Sequence, residues 1–250
     1  MTGRDEWVVI GIEPAVEWLQ GNEVTASYRG REMILRPETP ELWADVSLLR
    51  LPDEEYFTAA TLVHRFLSAM AWKRKAALRV EGHSGGTQRT RIGGRRETVG
   101  FRVIVQPGFD LDDLVEQTTP EQELALALYR EAIGIADNTY KFLALFRILN
   151  ISLGTPQMQI AWINNQLATL LHPAKARADA LGTQDPVGKT YPTTGAYLYA
   201  AGRSALAHAF APPFVDPDLM DDTYRINRDL IVVEALVERY MTAVLNLPED

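Results

Sequence analysis

The hydrophobic pattern of this chain changes its period near residue 118, and that change limits the folds open to it. Before it, short runs rich in β-branched and aromatic residues alternate with turn signals. After it, apolar residues recur at three- and four-residue spacing over long stretches. A chain of 250 residues patterned this way predicts two domains. Residues 1–115 read as an α+β domain, an antiparallel sheet with one long helix. Residues 118–250 read as an all-α bundle of about five or six helices.

The first half supplies strand runs at Trp7–Ile12, Val24–Tyr28, Glu32–Leu35, Trp43–Leu51, Ala77–Glu81 and Val99–Gln106, with Arg29-Gly30-Arg31 as a hairpin turn. Pro52-Asp53 opens the long helix, with Asp53 as its cap. Its apolar positions are Phe57, Ala60, Leu62, Val63, Phe66, Leu67 and Met70, and Lys73, Arg74 and Lys75 stand near its C-terminus. Residues 82–100, GHSGGTQRTRIGGRRETVG, carry six glycines and four arginines, Arg89, Arg91, Arg95 and Arg96. The ordinary reading is a solvated hairpin tip. The functional reading is a basic arm that holds phosphates of a substrate.

Pro107-Gly108 and the acidic stretch at Asp110, Asp112, Asp113 and Glu116 form the expected boundary. Thr119 then caps a helix with Pro120 first in it, and Gln122 stands at capping-box spacing. Leu124, Leu126, Leu128, Ile133 and Ile135 are its apolar positions. A second helix is expected over Asn138–Leu153, ended by Gly154. A third starts at Thr155-Pro156 and runs to about Leu171. A short helix over 173–182 and a loop from Gln184 to Pro192 follow. Thr193 or Thr194 caps the helix that carries Arg203. An amphipathic helix from Asp218 to Leu247 closes the chain, with Ile226, Leu230, Val233, Leu236, Val237, Tyr240 and Val244 as its core stripe.

Composition narrows the chemistry. There is no cysteine, which excludes disulfides and thiolate zinc sites. The net charge of −8 argues against a broadly basic nucleic-acid-binding surface, although not against a local one. The stretch MTGRDEWVVIGIEP lacks the apolar core of a signal peptide, and no run reaches the roughly 18 apolar residues a membrane span needs. These features predict a cytoplasmic protein with no membrane partner. The four histidines, His64, His83, His172 and His208, show no metal-helix spacing, so neither metal nor cofactor is expected. His64 sits in the middle of a helix and reads as a boundary residue, and His83 reads as part of the Gly-rich loop. Gly188-Lys189-Thr190 lacks the glycine and the strand of a phosphate loop. Ser204 and His208 share a helix face, but no acid or oxyanion-hole motif accompanies them.

Arg203 and His208 carry the strongest candidate chemistry. Arginine grips phosphate through paired charge-assisted bonds, and histidine transfers protons near neutrality. On an ideal helix residues five apart diverge by about 140°. The pair therefore requires the helix to end or distort near His208, and Pro212-Pro213 lie just downstream. The alternative is structural: Arg203 bridged to Asp222 or Glu234, and His208 closing the helix end.

Gly202–Ala209, GRSALAHA, sits in a helix between a hydrophobic helical hairpin and a closing amphipathic helix. That arrangement resembles the RNxxxH-type core of the HEPN superfamily. Tyr140–Leu153, with its FLALFRILN run, resembles the preceding helix of its Apea-like members. The whole layout resembles the MauJ group associated with methylamine utilisation. The HEPN resemblance covers about residues 118–247. It implies a helical domain that forms a homodimer and, in catalytic members, cuts RNA without a metal through facing Arg-His motifs. On this resemblance Arg203 and His208 are the catalytic residues. Ser204 stands beside the substrate, where the superfamily usually has Asn, Asp or His. Non-catalytic members act as binding or dimerisation modules. Two functions stay open: an RNA- or nucleotide-directed, metal-independent ribonuclease, or a non-enzymatic MauJ-like accessory protein that dimerises or docks a protein partner.

Overall fold

The computed structural model describes residues 5–248 apart from 16–17, 20, 95–110, 112–113, 186–187 and 209–213. The expected strand at Val99–Gln106 lies outside the described residues, as do Pro107-Gly108, Pro212-Pro213, Arg95 and Arg96. The chain divides into two compact units, Met1–Thr118 and Thr119–Asp250.

The first unit holds β1 (Trp7–Pro14), β2 (Val24–Tyr28), β3 (Arg31–Arg36), β4 (Ala44–Leu49), α1 (Tyr56–Arg74) and β5 (Leu78–Gly86). Among the described residues these strands form one antiparallel sheet in the order β2-β3-β4-β1-β5. β1 is central and nearly wholly buried, which explains its continuous apolar run in place of alternation. Arg29 and Gly30 both take positive φ (50° and 70°), the two-residue hairpin geometry that matches strand twist. Val63, Phe66, Leu67 and Met70 of α1 are fully buried, and α1 packs on β1, β4 and β5.

Two expectations need correction here. The helix does not open at Asp53, which adopts a left-handed turn (φ 64°) that no N-cap uses; α1 begins at Tyr56 and leaves Phe57 exposed. Glu54 instead accepts from both terminal nitrogens of Arg31 (3.1 and 3.2 Å) and from the Leu51 N–H. Partial burial would raise its carboxyl, but these bonds outweigh burial and hold it below the usual range. The glycine-rich segment is also not all loop. Gly82, His83, Ser84, Gly85 and Gly86 continue β5. A Cβ at Gly82 would meet Ile92 at 3.0 Å, and one at Gly85 would meet the Tyr56 ring at 2.6 Å. These glycines admit close neighbours rather than loosen the chain.

The second unit holds α2 (Pro120–Ile133), α3 (Asn138–Leu149), α4 (Pro156–Gln166), α5 (Ala174–Asp179), α6 (Thr194–Tyr197), a π-helical turn (Leu198–Ser204), α7 (Ala205–Ala207) and α8 (Met220–Ala243). Thr119, Thr155 and Thr193 each accept a backbone N–H three residues on, and proline follows the first two. Asp137 caps α3. α3 packs along α8, and Phe142, Phe146 and Leu149 of the first and Val233, Val237 and Tyr240 of the second are buried in the core of the unit. Gln122 Nε2 donates to the Leu245 carbonyl at 2.8 Å, tying the first turn of the unit to its last residues.

Here too the sequence overreached. The second helix stops at Leu149, not near Leu153 and Gly154, and the Ser152 N–H donates to the Tyr240 hydroxyl instead of continuing the ladder. Leu124 and Tyr140 are exposed, because Ala125, Tyr129 and Ala132 occupy the inner face of α2 and Phe142 that of α3. Val244 ends up at the surface beyond the last turn of α8. Among the described residues no helix is long and apolar enough to cross a membrane.

Candidate functional site

The Arg203–His208 segment owes its shape to small residues. Thr193 Oγ1 accepts from the Ala196 N–H, and Asn164 Oδ1 accepts from the Gly195 N–H at 2.8 Å. Ala201 and Ala205 are buried. A Cβ on Gly202 would lie 2.5 Å from Phe142 Cζ, so glycine lets this turn sit directly on the α3 aromatic ring. Between Leu198 and Ser204 the helix widens into a π turn, with the Ala205 N–H reaching back to Ala200. Such turns are rare insertions within α-helices. From α8, Arg225 Nη1 donates to the Ala201 carbonyl at 2.9 Å.

The helix ends at His208, whose backbone is extended (φ −137°, ψ 132°). The distortion runs through Arg203 and the termination falls on His208, so the straight-helix divergence of five residues does not apply to this pair. Arg203 is half-buried with its guanidinium carbon 5.5 Å from the Tyr199 ring centroid. Ser204 is half-buried and His208 is exposed. The suggested bridges from Arg203 to Asp222 or Glu234 do not form, because those carboxylates are engaged elsewhere. Asp222 lies 3.7 Å from Arg225 and accepts from the Asp216 N–H, while Glu234 pairs with Lys141 at 2.5 Å.

A polar network that the sequence did not reveal supports this helix. Asp229 of α8 is 1 % exposed; it accepts from Arg177 at 2.5 Å and from the Tyr197 hydroxyl at 2.9 Å. Burial pushes its carboxyl up, against the pull of those two bonds. Tyr197 is pushed up to about 12 by burial and by the neighbouring Asp229 charge. Tyr191 donates to Asp185 at 2.8 Å and meets the Tyr197 ring edge-on. Its hydroxyl is driven well above the usual tyrosine range by burial and by Asp185. The partners come from α5, α6 and α8, so no sequence spacing could announce them. The Gly188-Lys189-Thr190 turn closes on Asp185, which accepts from the Lys189 N–H.

The other proposed substrate contacts lie in the first unit. Arg91 Nε donates to Asp45 at 3.0 Å, and its Nη2 reaches the Trp43 and Pro37 carbonyls. Asp45 is fully buried and also accepts from Arg36 at 2.7 Å. Arg89 pairs with Glu23 at 3.2 Å and faces the Trp7 ring. His64 and His83, nineteen residues apart, meet with their Nε2 atoms 2.9 Å from one another. His83 belongs to β5 rather than to a loop, and that register produces the meeting.

Residues 125–242, all within the helical unit, match the family model described as Methylamine utilization protein MauJ. The helical unit is similar to the MauJ family. That match spans α3, the Arg177–Asp229 network, the π turn and nearly all of α8, so the MauJ-like region contains both Arg203 and His208. No curated protein and no solved structure matches the chain.

Proposed function

We propose that the helical unit is a HEPN-like module directed at RNA, with Arg203 and His208 cleaving the phosphodiester without a metal. The observation that carries this reading is the placement of the pair. Both side chains reach solvent at the end of a helix distorted by a π turn, and the carboxylates that could have engaged Arg203 are held by Arg225 and Lys141. In this reading Arg203 holds a non-bridging phosphate oxygen. His208 accepts the 2′-hydroxyl proton as the 2′-oxygen bonds to phosphorus. The P–O5′ bond breaks, the products are a 2′,3′-cyclic phosphate and a 5′-hydroxyl, and water supplies the proton to the leaving oxygen. Ser204 lies beside the substrate. A homodimer through the helical unit would bring two such pairs together. The setting would be cytoplasmic.

A second reading is favoured by the MauJ match and by the net charge of −8. In it the chain is a non-enzymatic accessory protein of methylamine utilisation, and its helical unit dimerises or docks a protein partner. One experiment separates them: incubation of mixed single-stranded RNA with wild type and His208→Ala in EDTA. Cleavage by wild type with 2′,3′-cyclic ends, lost in the variant, is the expected result. A folded wild type that leaves the RNA intact overturns the nuclease reading in favour of the accessory one.

A further inference from the structure

The inner face of α8 is buried through Ile226, Leu230, Val233 and Val237. On its outer face Met220, Tyr224, Asn227 and Ile231 follow one another at spacings of four, three and four residues. That alternation is the seam of a coiled coil. All four are exposed, Met220 by 79 %, Tyr224 by 62 % and Ile231 by 41 %. The next two seam positions are Glu234 and Glu238, engaged by Lys141 and Tyr129, so the apolar stretch is confined to the first half of the helix.

Two opposite charges flank this stripe on one side. Asp221 follows Met220, and Arg228 follows Asn227 with its guanidinium carbon 5.5 Å from the Tyr224 ring centroid. Both are exposed, and among the described residues neither forms an ion pair. They stand about 10.5 Å apart along the axis, too far to meet within one helix. In an isologous pair residue i of one copy faces residue j of the other, and j faces i. An antiparallel alignment that sets Met220 on Ile231 of the second copy also sets Tyr224 on Asn227 and brings Asp221 beside Arg228, twice by symmetry. A parallel alignment brings no such pair together. The stripe is complementary to itself, in apolar pattern and in charge, in one direction only.

We infer that this face of α8 docks on the same face of a second copy, the two helices running antiparallel about a two-fold axis between residues 225 and 226. The inference rests on the homodimer of the reading above and names its surface. Arg225, which holds the Ala201 carbonyl of the π turn, stands at the level of that axis. Both copies therefore carry their π turns at the same height along the paired helices, which ties the contact to the Arg203–His208 pairs. The stripe is short, so the dimer is weak, with a Kd of about 10–100 μM.

Sedimentation velocity of the full chain, from about 1 to 300 μM, tests this. Wild type should pass from monomer to dimer across that range. Asp221→Arg and Arg228→Asp each set like charges opposite one another and should weaken association by about tenfold or more. Mixing the two variants, or joining both changes in one chain, restores opposite charges and should restore the dimer. The substituted positions are exposed, so thermal unfolding of every variant should stay close to wild type. Arg203 and His208 are untouched, so RNA cleavage is read separately from association. A wild type that stays monomeric throughout overturns this inference and the homodimer together. A dimer that neither reversal weakens, or weakened variants that the mixture does not rescue, overturns the α8 contact and leaves a homodimer through another surface.

Discussion

Arg225 reaches from α8 to the carbonyl of Ala201, inside the π turn, at 2.9 Å. Its side chain is largely buried, and Asp222 and Asp229 lie 3.7 and 4.0 Å from its guanidinium. Arg225→Met keeps the stem and removes the donors. It should cost about 1–3 kcal/mol, since a buried carbonyl and nearby carboxylates lose a partner. Urea unfolding of the variant checks this; an unchanged midpoint would mean that the π turn stands without its clamp.

Gly202 is predicted to tolerate nothing larger. The added methyl of Gly202→Ala meets Phe142, itself fully buried, so the variant should lose about 1–3 kcal/mol by overpacking. Phe142→Leu makes room at the same point. The double variant should therefore be more stable than the sum of the two single losses implies, and a double-mutant cycle measures that coupling.

Tyr197 links stability to alkaline pH. Its hydroxyl is raised from 10.0 to about 12, so it favours the folded state below about pH 10, and that contribution disappears as pH climbs toward 12. Tyr197→Phe should cost about 1 kcal/mol at neutral pH through the lost bond to Asp229, and should show a shallower decline between those two pH values. Parallel curves of unfolding free energy against pH for both proteins would count against this role.

Arg91→Ala distinguishes a structural arginine from a surface phosphate contact. Its guanidinium neutralises the fully buried Asp45 together with Arg36, so removing it should cost about 1–3 kcal/mol in thermal or urea unfolding. Arg89→Ala, whose partner Glu23 is half exposed, should change stability by no more than about 1 kcal/mol. Equal effects from the two variants would remove the distinction.

What the sequence made legible was local. Thr119, Thr155 and Thr193 announce helix starts because a cap bonds within three residues of itself, and the Arg29-Gly30 hairpin is as local. The division into a strand-rich and a helical half follows from hydrophobic period. What stayed hidden depends on partners far along the chain. Glu54 answers to Arg31, so α1 begins after it. The glycines of β5 answer to Ile92 and Tyr56, and so read as loop. In the helical unit, Arg203 and His208 were visible as a spacing, whereas the network beneath them joins residues 177, 197 and 229. The π turn has no local signature, because Gly202 and two buried alanines suit a straight helix equally well.

The bond from Gln122 to the Leu245 carbonyl brings the two ends of the helical unit side by side. A unit whose entrance and exit coincide is a cassette: it can be seated in a loop of another protein without pulling that loop apart. The same closeness makes it a candidate for circular permutation, with the old ends joined by a short linker and new ones opened in the surface turn between α3 and α4.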